Sequence, residues 1–217
     1  MLLQQGYADA MICGTTGPAG PHLSEVRRII GRKKGVQNYF ALSAAILPTG
    51  TLFITDTYVN YDPTAEQLAE ATILSAERVR SFGITPKVGL VCHSNFGSSR
   101  SPSAEKMRDV LKRIFEMQPE LDVEGEMHAD AALSPFIRDE VQAKPRYEGA
   151  ANLLVMPSLD TANVAFNLLK VATDAVTISP ILIGAARPVH IASQSITVRG
   201  LVNLSALAVV DAMSEVE

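Results

Sequence analysis

The sequence lacks the features that most readily define a class of protein. Its two cysteines, Cys13 and Cys92, each lie in a short apolar run, which indicates buried thiols rather than a disulfide or a metal pair. No apolar run approaches the roughly 18 residues of a membrane span. No secretory signal precedes the first polar residues, so we expect a cytoplasmic protein without a membrane partner. No run of Lys and Arg exceeds residues 32–34 and the formal net charge is −4, so no nucleic-acid partner is expected.

Motifs for nucleotide binding and ester hydrolysis are also missing. There is no GxxxxGK[ST] loop, no GxGxxG after a strand and no GxSxG turn. Glu126, His128 and Asp130 are of the types that bind metals, and alternation along a strand would place them on one face. One imidazole and two carboxylates without a second cluster are a weak pattern, so no metal site is predicted. We expect the chain to hold no cofactor of its own.

The most informative stretch present is residues 88–115, which reads as a strand, a loop and a helix. Residues 88–92 form a short apolar run typical of a buried parallel strand. Ser101 and Pro102 predict the start of a helix, with a hydroxyl cap and a proline in the first turn. The loop between them directs backbone N–H groups, small hydroxyls and a helix N-terminus to one place, which predicts an anion site. The candidate binding residues are Ser94, Asn95, Gly97, Ser98, Ser99 and Arg100.

Strand-like and helix-like segments alternate along the rest of the chain. Strands are predicted at 8–13, 51–55, 88–92, 121–124, 151–156 and 178–184, and helices at 23–30, 65–82, after 102, at 163–171 and at 201–210. This order predicts an α/β protein with a largely parallel sheet. Asp56 and Asn60 follow a strand, where α/β proteins place binding groups. The last helix is apolar on almost every side, so we expect the core or another subunit to cover it.

Four runs of sequence together resemble one known family. They are HSNFGSSRSPSAEKMR (93–108), EGEMHADAAL (124–133), ANLLVMPSLDTANVAFNLLK (151–170) and SPILIGAARPVHIAS (179–193). In this order they resemble the phosphate acetyl/butyryltransferase family over essentially the whole chain. The resemblance is greatest to the C-terminal, phosphotransacetylase-like domain of the large NADP-dependent malic enzymes.

The resemblance implies a fold and an assembly. The fold is a three-layer α/β/α sandwich of two lobes with a largely parallel sheet, similar to isocitrate and isopropylmalate dehydrogenases. Lobe II is expected at residues 41–189. Lobe I is expected at residues 1–40 and 190–217, with its N-terminal part absent from this chain. Members of the family bind CoA and acyl phosphate between the lobes and pair through lobe II. We therefore expect a homodimer, and a higher homo-oligomer of the longer parent protein.

The family's catalytic groups do not all carry over. Active members have a Ser-Arg pair after the turn that matches residues 187–190, and an Asp several residues later. Here the serine is Ser193, the arginine position holds Gln194 and the aspartate position holds Gly200. Neither glutamine nor glycine supplies the missing cation or base, so the resemblance implies no catalytic residues. Lys170 matches a basic position near the CoA phosphates, and Ser193 remains as a binding residue.

Three functions stay open at this point. The favoured one is a non-catalytic domain for oligomerisation and acetyl-CoA sensing in an NADP-dependent malic enzyme, whose NADP and Mg²⁺ or Mn²⁺ would bind elsewhere in the parent. The second is an active phosphate acetyltransferase that moves acetyl between acetyl phosphate and CoA, with His128 or His190 as an unrecognised base. The third is a dimerisation module without a ligand.

Overall fold

The computed structural model describes residues 1–142 and 144–214. Its strands are β1 (Met11–Gly14), β2 (Phe40–Leu47), β3 (Gly50–Thr55), β4 (Val88–Val91), β5 (Val123–Met127), β6 (Leu153–Val155), β7 (Val176–Ile183) and β8 (Val189–Ala192). Its helices are α1 (Ala19–Ile29), α2 (Ala65–Ser81), α3 (Pro102–Met117), α4 (Ala129–Leu133), α5 (Pro135–Val141), α6 (Leu159–Ala172) and α7 (Val198–Ser214).

A six-stranded sheet forms the middle layer, in the order β5-β4-β6-β3-β2-β7. The four strands from β5 to β3 are parallel, whereas β2 pairs antiparallel with both β3 and β7. The parallel strands β4, β5 and β6 are buried along their whole length, which explains why β4 and β6 are apolar throughout. The largely parallel sheet that the sequence predicts is therefore confirmed.

Helices cover both faces of this sheet. Neighbouring residues of a strand point to opposite faces, and accordingly Phe53 packs with α2 and α3 whereas Ile54 packs with α4 and α6. The α2 and α3 side is filled by Leu68, Met107 and Ile114, among others. The chain is thus a three-layer α/β/α sandwich, as the resemblance implies.

A separate two-stranded sheet joins β1 to β8 in parallel. Val26 and Ile30 at the end of α1 pack against Val189 and Ile191 of β8 in a small core of their own. The division into lobe I (1–40 and 190–217) and lobe II (41–189) stays a prediction. Residue 143 of the second and residues 215–217 of the first lie outside the described residues.

Three helices are longer than the sequence predicts. The predicted helix at 163–171 is α6, Leu159–Ala172, which begins earlier because Ser158 caps it, with its hydroxyl accepting from the Thr161 N–H. The predicted helix at 23–30 begins at Ala19, because Pro18 takes the N-cap position with extended backbone and the first turn tolerates Gly20 and a proline. The predicted helix at 201–210 is α7, Val198–Ser214; the core covers only one face of it, at Leu204, Leu207 and Ala208. No helix in the described part of the chain has both the length and the hydropathy needed to cross a membrane.

Candidate functional site

The loop that follows β4 is folded around a buried carboxylate. Glu126 on β5 has a side chain that is 1% exposed, and its Oε1 accepts hydrogen bonds from the Ser94 hydroxyl (2.7 Å) and the Gly97 N–H (2.9 Å). Arg108 on α3 donates a third, at 2.7 Å. Ser94 Oγ in turn accepts from the Ser99 N–H at 3.0 Å. The predicted anion-binding loop therefore already holds an internal anion on its inner side.

A glycine makes this arrangement possible. Gly125 has φ of +140°, and a Cβ added there would lie 2.7 Å from the carbonyl oxygen of Leu90 on the neighbouring strand. Because glycine has no side chain, β5 approaches β4 closely at this point. The next residue, Glu126, then lies directly below the loop that leaves β4.

Histidines line the outer side of the same loop. His93 Nε2 is 3.0 Å from the Ser101 hydroxyl and 3.3 Å from the Ser99 hydroxyl, and its carbonyl oxygen lies 2.9 Å from His128 Nε2. The His128 N–H donates to Asn95 Oδ1 at 2.7 Å. These contacts fix His128 beside the loop. Of the residues predicted from the sequence, Gly97, Ser98 and Arg100 are exposed, Asn95 and Ser99 are half-buried, and Ser94 is buried.

A cavity of about 390 Å³ opens beside this loop, between α3 and α6. Lys106 projects into it and is held by Asp62, with Nζ to Oδ1 at 2.7 Å. The other polar lining groups include His93, Ser103 and Ser158. Sequence reasoning missed His93 and Lys106, although both lie within the stretch that carries the loop. Neither residue matches a motif, and only the tertiary fold brings both to the wall of one cavity.

The remaining predicted ligand residues lie elsewhere. Lys170 is near the end of α6, and the chain continues from there into the first residue of β7. Because β2 is antiparallel to both β3 and β7, β7 begins at the same edge of the sheet as β3. The loop at 94–100 leaves the opposite edge, where β4 ends. Ser193 follows β8 in the two-stranded sheet, and its Oγ is 3.4 Å from Ser195 Oγ. The structure therefore brings the six loop residues together but places Lys170 apart from them.

Ser193 lies beside the loop that follows β1. The Thr15 N–H donates to the carbonyl oxygen of Ala192 at 3.0 Å, and Gly14, with φ of +108°, packs directly on that same oxygen, so that any side chain there would collide with it. Gln194 is exposed and Gly200 lies in the first turn of α7, where its N–H donates to Thr197. Residues 194 and 200 themselves thus supply neither a cation nor a base.

The histidine at the end of the family turn is buried and fully bonded. His190 is 2% exposed; the Leu182 N–H donates to its Nδ1 at 3.3 Å, so that Nε2 carries the proton and donates to Asp211 Oδ2 at 3.1 Å. Asp211 also binds Arg78. Burial raises the pKa of Asp211, but hydrogen bonds from His190 and Arg78 outweigh it and hold that pKa below its usual value. With both ring nitrogens bonded, His190 has no free lone pair for a general base.

Two further groups of polar residues singled out from the sequence, around Asp56 and around Glu126, bond to the protein itself. Asp56 turns back into its own loop, where its oxygens accept from the N–H groups of Ala41 and Tyr58 and from the Asn60 amide; burial nevertheless raises the pKa of Asp56. Glu126 faces the 94–99 loop whereas His128 faces His93, so they do not converge on one point. Among the described residues no group of three potential metal ligands is found.

This geometry defines a class: a three-layer α/β protein of phosphotransacetylase type. A solved phosphotransacetylase from Streptococcus pyogenes superposes with a TM-score of 0.92 at 26% identity, covering 98% of this chain and 65% of its own. Another, from Staphylococcus aureus, has a TM-score of 0.86 at 25% identity. The family profile described as "Phosphate acetyl/butaryl transferase" matches residues 1–209. The chain belongs to the phosphate acetyl/butyryltransferase family.

Sequence comparison separates two kinds of relative within it. NADP-dependent malic enzymes from Salmonella typhimurium and Escherichia coli are 50% and 48% identical over 99% of this chain. The chain spans only 28% of the length of either enzyme. A phosphate acetyltransferase from Clostridium acetobutylicum is 30% identical over 98% of this chain and 66% of its own length. The chain is therefore more similar to the phosphotransacetylase-like part of malic enzymes than to that transferase.

Proposed function

We propose that the chain is a C-terminal, non-catalytic domain of an NADP-dependent malic enzyme, where it serves oligomerisation and acetyl-CoA sensing in the cytoplasm. The parent would decarboxylate malate oxidatively to pyruvate, and its NADP and Mg²⁺ or Mn²⁺ would bind in the rest of the longer protein. The high identity to malic enzymes over the whole chain supports this parent. The proposal gives this domain no chemical step of its own.

The observation that carries the non-catalytic role is the pair of substitutions after β8. Acetyl transfer from acetyl phosphate to CoA needs a base for the thiol and charged or hydrogen-bonding groups for the transition state. Gln194 and Gly200 stand where the family has the cation and the base, and the nearby His190 is committed to Leu182 and Asp211. Since one lost stabilising donor typically costs about 10²–10³ in rate, we expect no significant turnover.

Ligand binding is supported by the loop after β4 and not by the residues after β8. The loop after β4 carries Asn95, Ser98, Ser99 and Arg100, each exposed or half-buried, and it lies between His93 and Ser103, which line the cavity together with Lys106. Hydroxyls, a guanidinium and an ammonium group suit the phosphates of a CoA compound. Ser94 and Gly97 contribute by holding the loop on Glu126. Lys170, near the end of α6, and Ser193, after β8, stay predicted ligand contacts, although neither belongs to this loop.

Oligomerisation is supported by an apolar stripe on α6. Val164, Leu168 and Val171 recur at helical spacing, and they are 64%, 68% and 78% exposed in the single chain. The opposite side of the helix packs Ala162 and Phe166 into the core. An exposed apolar stripe on one helix of lobe II suits the same face of a second copy related by a two-fold axis. Acetyl-CoA bound to such a dimer could bias the parent only through different affinities for two states.

One pair of measurements tests the proposal. Acetyl-CoA is titrated calorimetrically into the chain, and CoA-dependent release of phosphate from acetyl phosphate is assayed on the same sample. Saturable binding without turnover is expected. Turnover would instead establish the alternative, an active phosphate acetyltransferase, which the identity to the Clostridium enzyme favours. If neither appears, the titration is repeated on the full-length parent; no binding there would contradict acetyl-CoA sensing.

A further inference from the structure

The inner and outer sides of the loop at 94–100 are bonded to different partners. On the inner side, Glu126 Oε1 accepts hydrogen bonds from the Ser94 hydroxyl, the Gly97 N–H and Arg108, and the Glu126 side chain as a whole is 1% exposed. On the outer side, the Ser99 hydroxyl meets His93 at 3.3 Å. The Ser94 hydroxyl and the Gly97 N–H are therefore already bonded to a protein carboxylate, which leaves the outward groups, together with the 34% exposed side chain of Arg108, to meet a ligand anion.

The inner bonds also determine where the outer groups point. Phe96 and Gly97 both have positive φ values, of 44° and 90°, so the loop turns sharply there. The Ser94 hydroxyl donates to Glu126 while accepting from the Ser99 N–H, which links the carboxylate to the far end of the loop. The Phe96 N–H is tied to the carbonyl oxygen of the same Glu126 at 2.8 Å. Both ends and the tip of the turn thus depend on one residue.

We propose that Glu126 is a positioning residue for the phosphates of the ligand, an inference that rests on the proposed binding of acetyl-CoA. It acts as a built-in anion that occupies the inner donors of the loop and, through Ser94, orders Ser99. The Ser99 hydroxyl contacts His93, which lines the cavity together with Ser103 and Lys106. The phosphate-bearing part of the ligand binds on that outer face. Glu126 itself never touches the ligand.

The direction in which one substitution changes the Kd for acetyl-CoA distinguishes a positioning role from simple electrostatic attraction. Glu126→Gln removes a negative charge and leaves Arg108 without its carboxylate partner; both changes on their own attract an anionic ligand more strongly. Positioning predicts the opposite, because the amide has one acceptor oxygen but no charge to hold three donors. We expect the Kd for acetyl-CoA to rise about tenfold, as for other losses of preorganised geometry. Glu105→Gln, an equal charge change at an exposed site on α3, should leave Kd unchanged or lower it.

Amide hydrogen exchange gives a readout that a general loss of stability would not imitate. In Glu126→Gln, exchange should accelerate at Gly97 and Ser99 while amides of α2 and β6 keep their protection. Should that variant not fold, Ser94→Ala breaks the same chain of bonds without a charge change, and faster exchange at Ser99 must accompany weaker binding. If wild type binds acetyl-CoA and Glu126→Gln binds as well or more tightly, the positioning role is wrong and the proposed function stands. If neither the wild-type chain nor its full-length parent binds acetyl-CoA, both proposals are wrong.

Discussion

Arg78 on α2 and Asp211 on α7 form a bidentate ion pair that joins two helices remote from each other in sequence. Arg78 Nη1 lies 2.5 Å from Asp211 Oδ1, and Nη2 lies 2.8 Å from Oδ2. The two side chains are only 17% and 14% exposed, and the second oxygen also accepts from His190 on β8. A single carboxylate therefore connects a helix of the sandwich, the last helix and the two-stranded sheet.

Replacing this carboxylate should cost stability. Asp211→Asn leaves Arg78 and His190 without their charged acceptor, and hydrogen bonds to charged groups contribute about 1.5–3 kcal/mol each to folding. We expect a loss of about that size in the free energy of unfolding, measured by urea denaturation. Asp109→Asn is the matched control, because Asp109 pairs with Arg113 at the surface, where such pairs contribute about 0.5 kcal/mol. Equal losses in the two variants would show that the buried pair has no special weight.

The stabilisation by Asp211 should disappear in acid. Its pKa in the folded protein is lowered: burial raises it, but the bonds from His190 and Arg78 prevail. A carboxyl with a depressed folded pKa binds its proton more readily when unfolded, so its contribution is complete above the unfolded pKa of about 3.9 and is lost as pH falls below it. The difference in unfolding free energy between wild type and Asp211→Asn should stay constant from neutral pH to about pH 5 and then shrink towards pH 3. A difference that grew in acid would contradict this assignment.

The stripe on α6 makes a prediction about assembly. Leu168→Glu places a charge at the centre of the exposed apolar face formed with Val164 and Val171, and burying that charge in a dimer interface is strongly unfavourable. We expect the variant to be monomeric by analytical ultracentrifugation at concentrations where wild type is a dimer. Met117→Glu on α3, where the side chain is 59% exposed, changes charge equally on another helix and should leave the dimer intact. If Leu168→Glu stays dimeric, the interface lies elsewhere.

Local signals in the sequence correctly predict the start of several elements. Ser101 and Pro102 begin α3 as expected, and the Ser101 hydroxyl accepts from the Ala104 N–H. The helix predicted at 65–82 likewise begins at Ala65, where Thr64 forms a reciprocal capping box with Gln67. Both signals lie within four residues of the bonds they make, so no knowledge of the rest of the fold is needed. The order of apolar runs likewise predicts an α/β protein with a largely parallel sheet, since burial of a strand or helix face is visible in its own residues; the three layers were implied by the family resemblance.

The sequence by itself therefore determined the α/β class and the largely parallel sheet, and its motifs indicated the family. It could not show which donors of the serine-rich loop face inward, because their acceptor, Glu126, is 32 residues from Ser94. Nor could it show that His190 is bonded on both ring nitrogens, since the partners of those nitrogens, Leu182 and Asp211, lie on two other elements, β7 and α7. Tertiary structure decided these pairings, because a hydrogen bond depends on distance and direction in space, and those are set only when remote elements pack together.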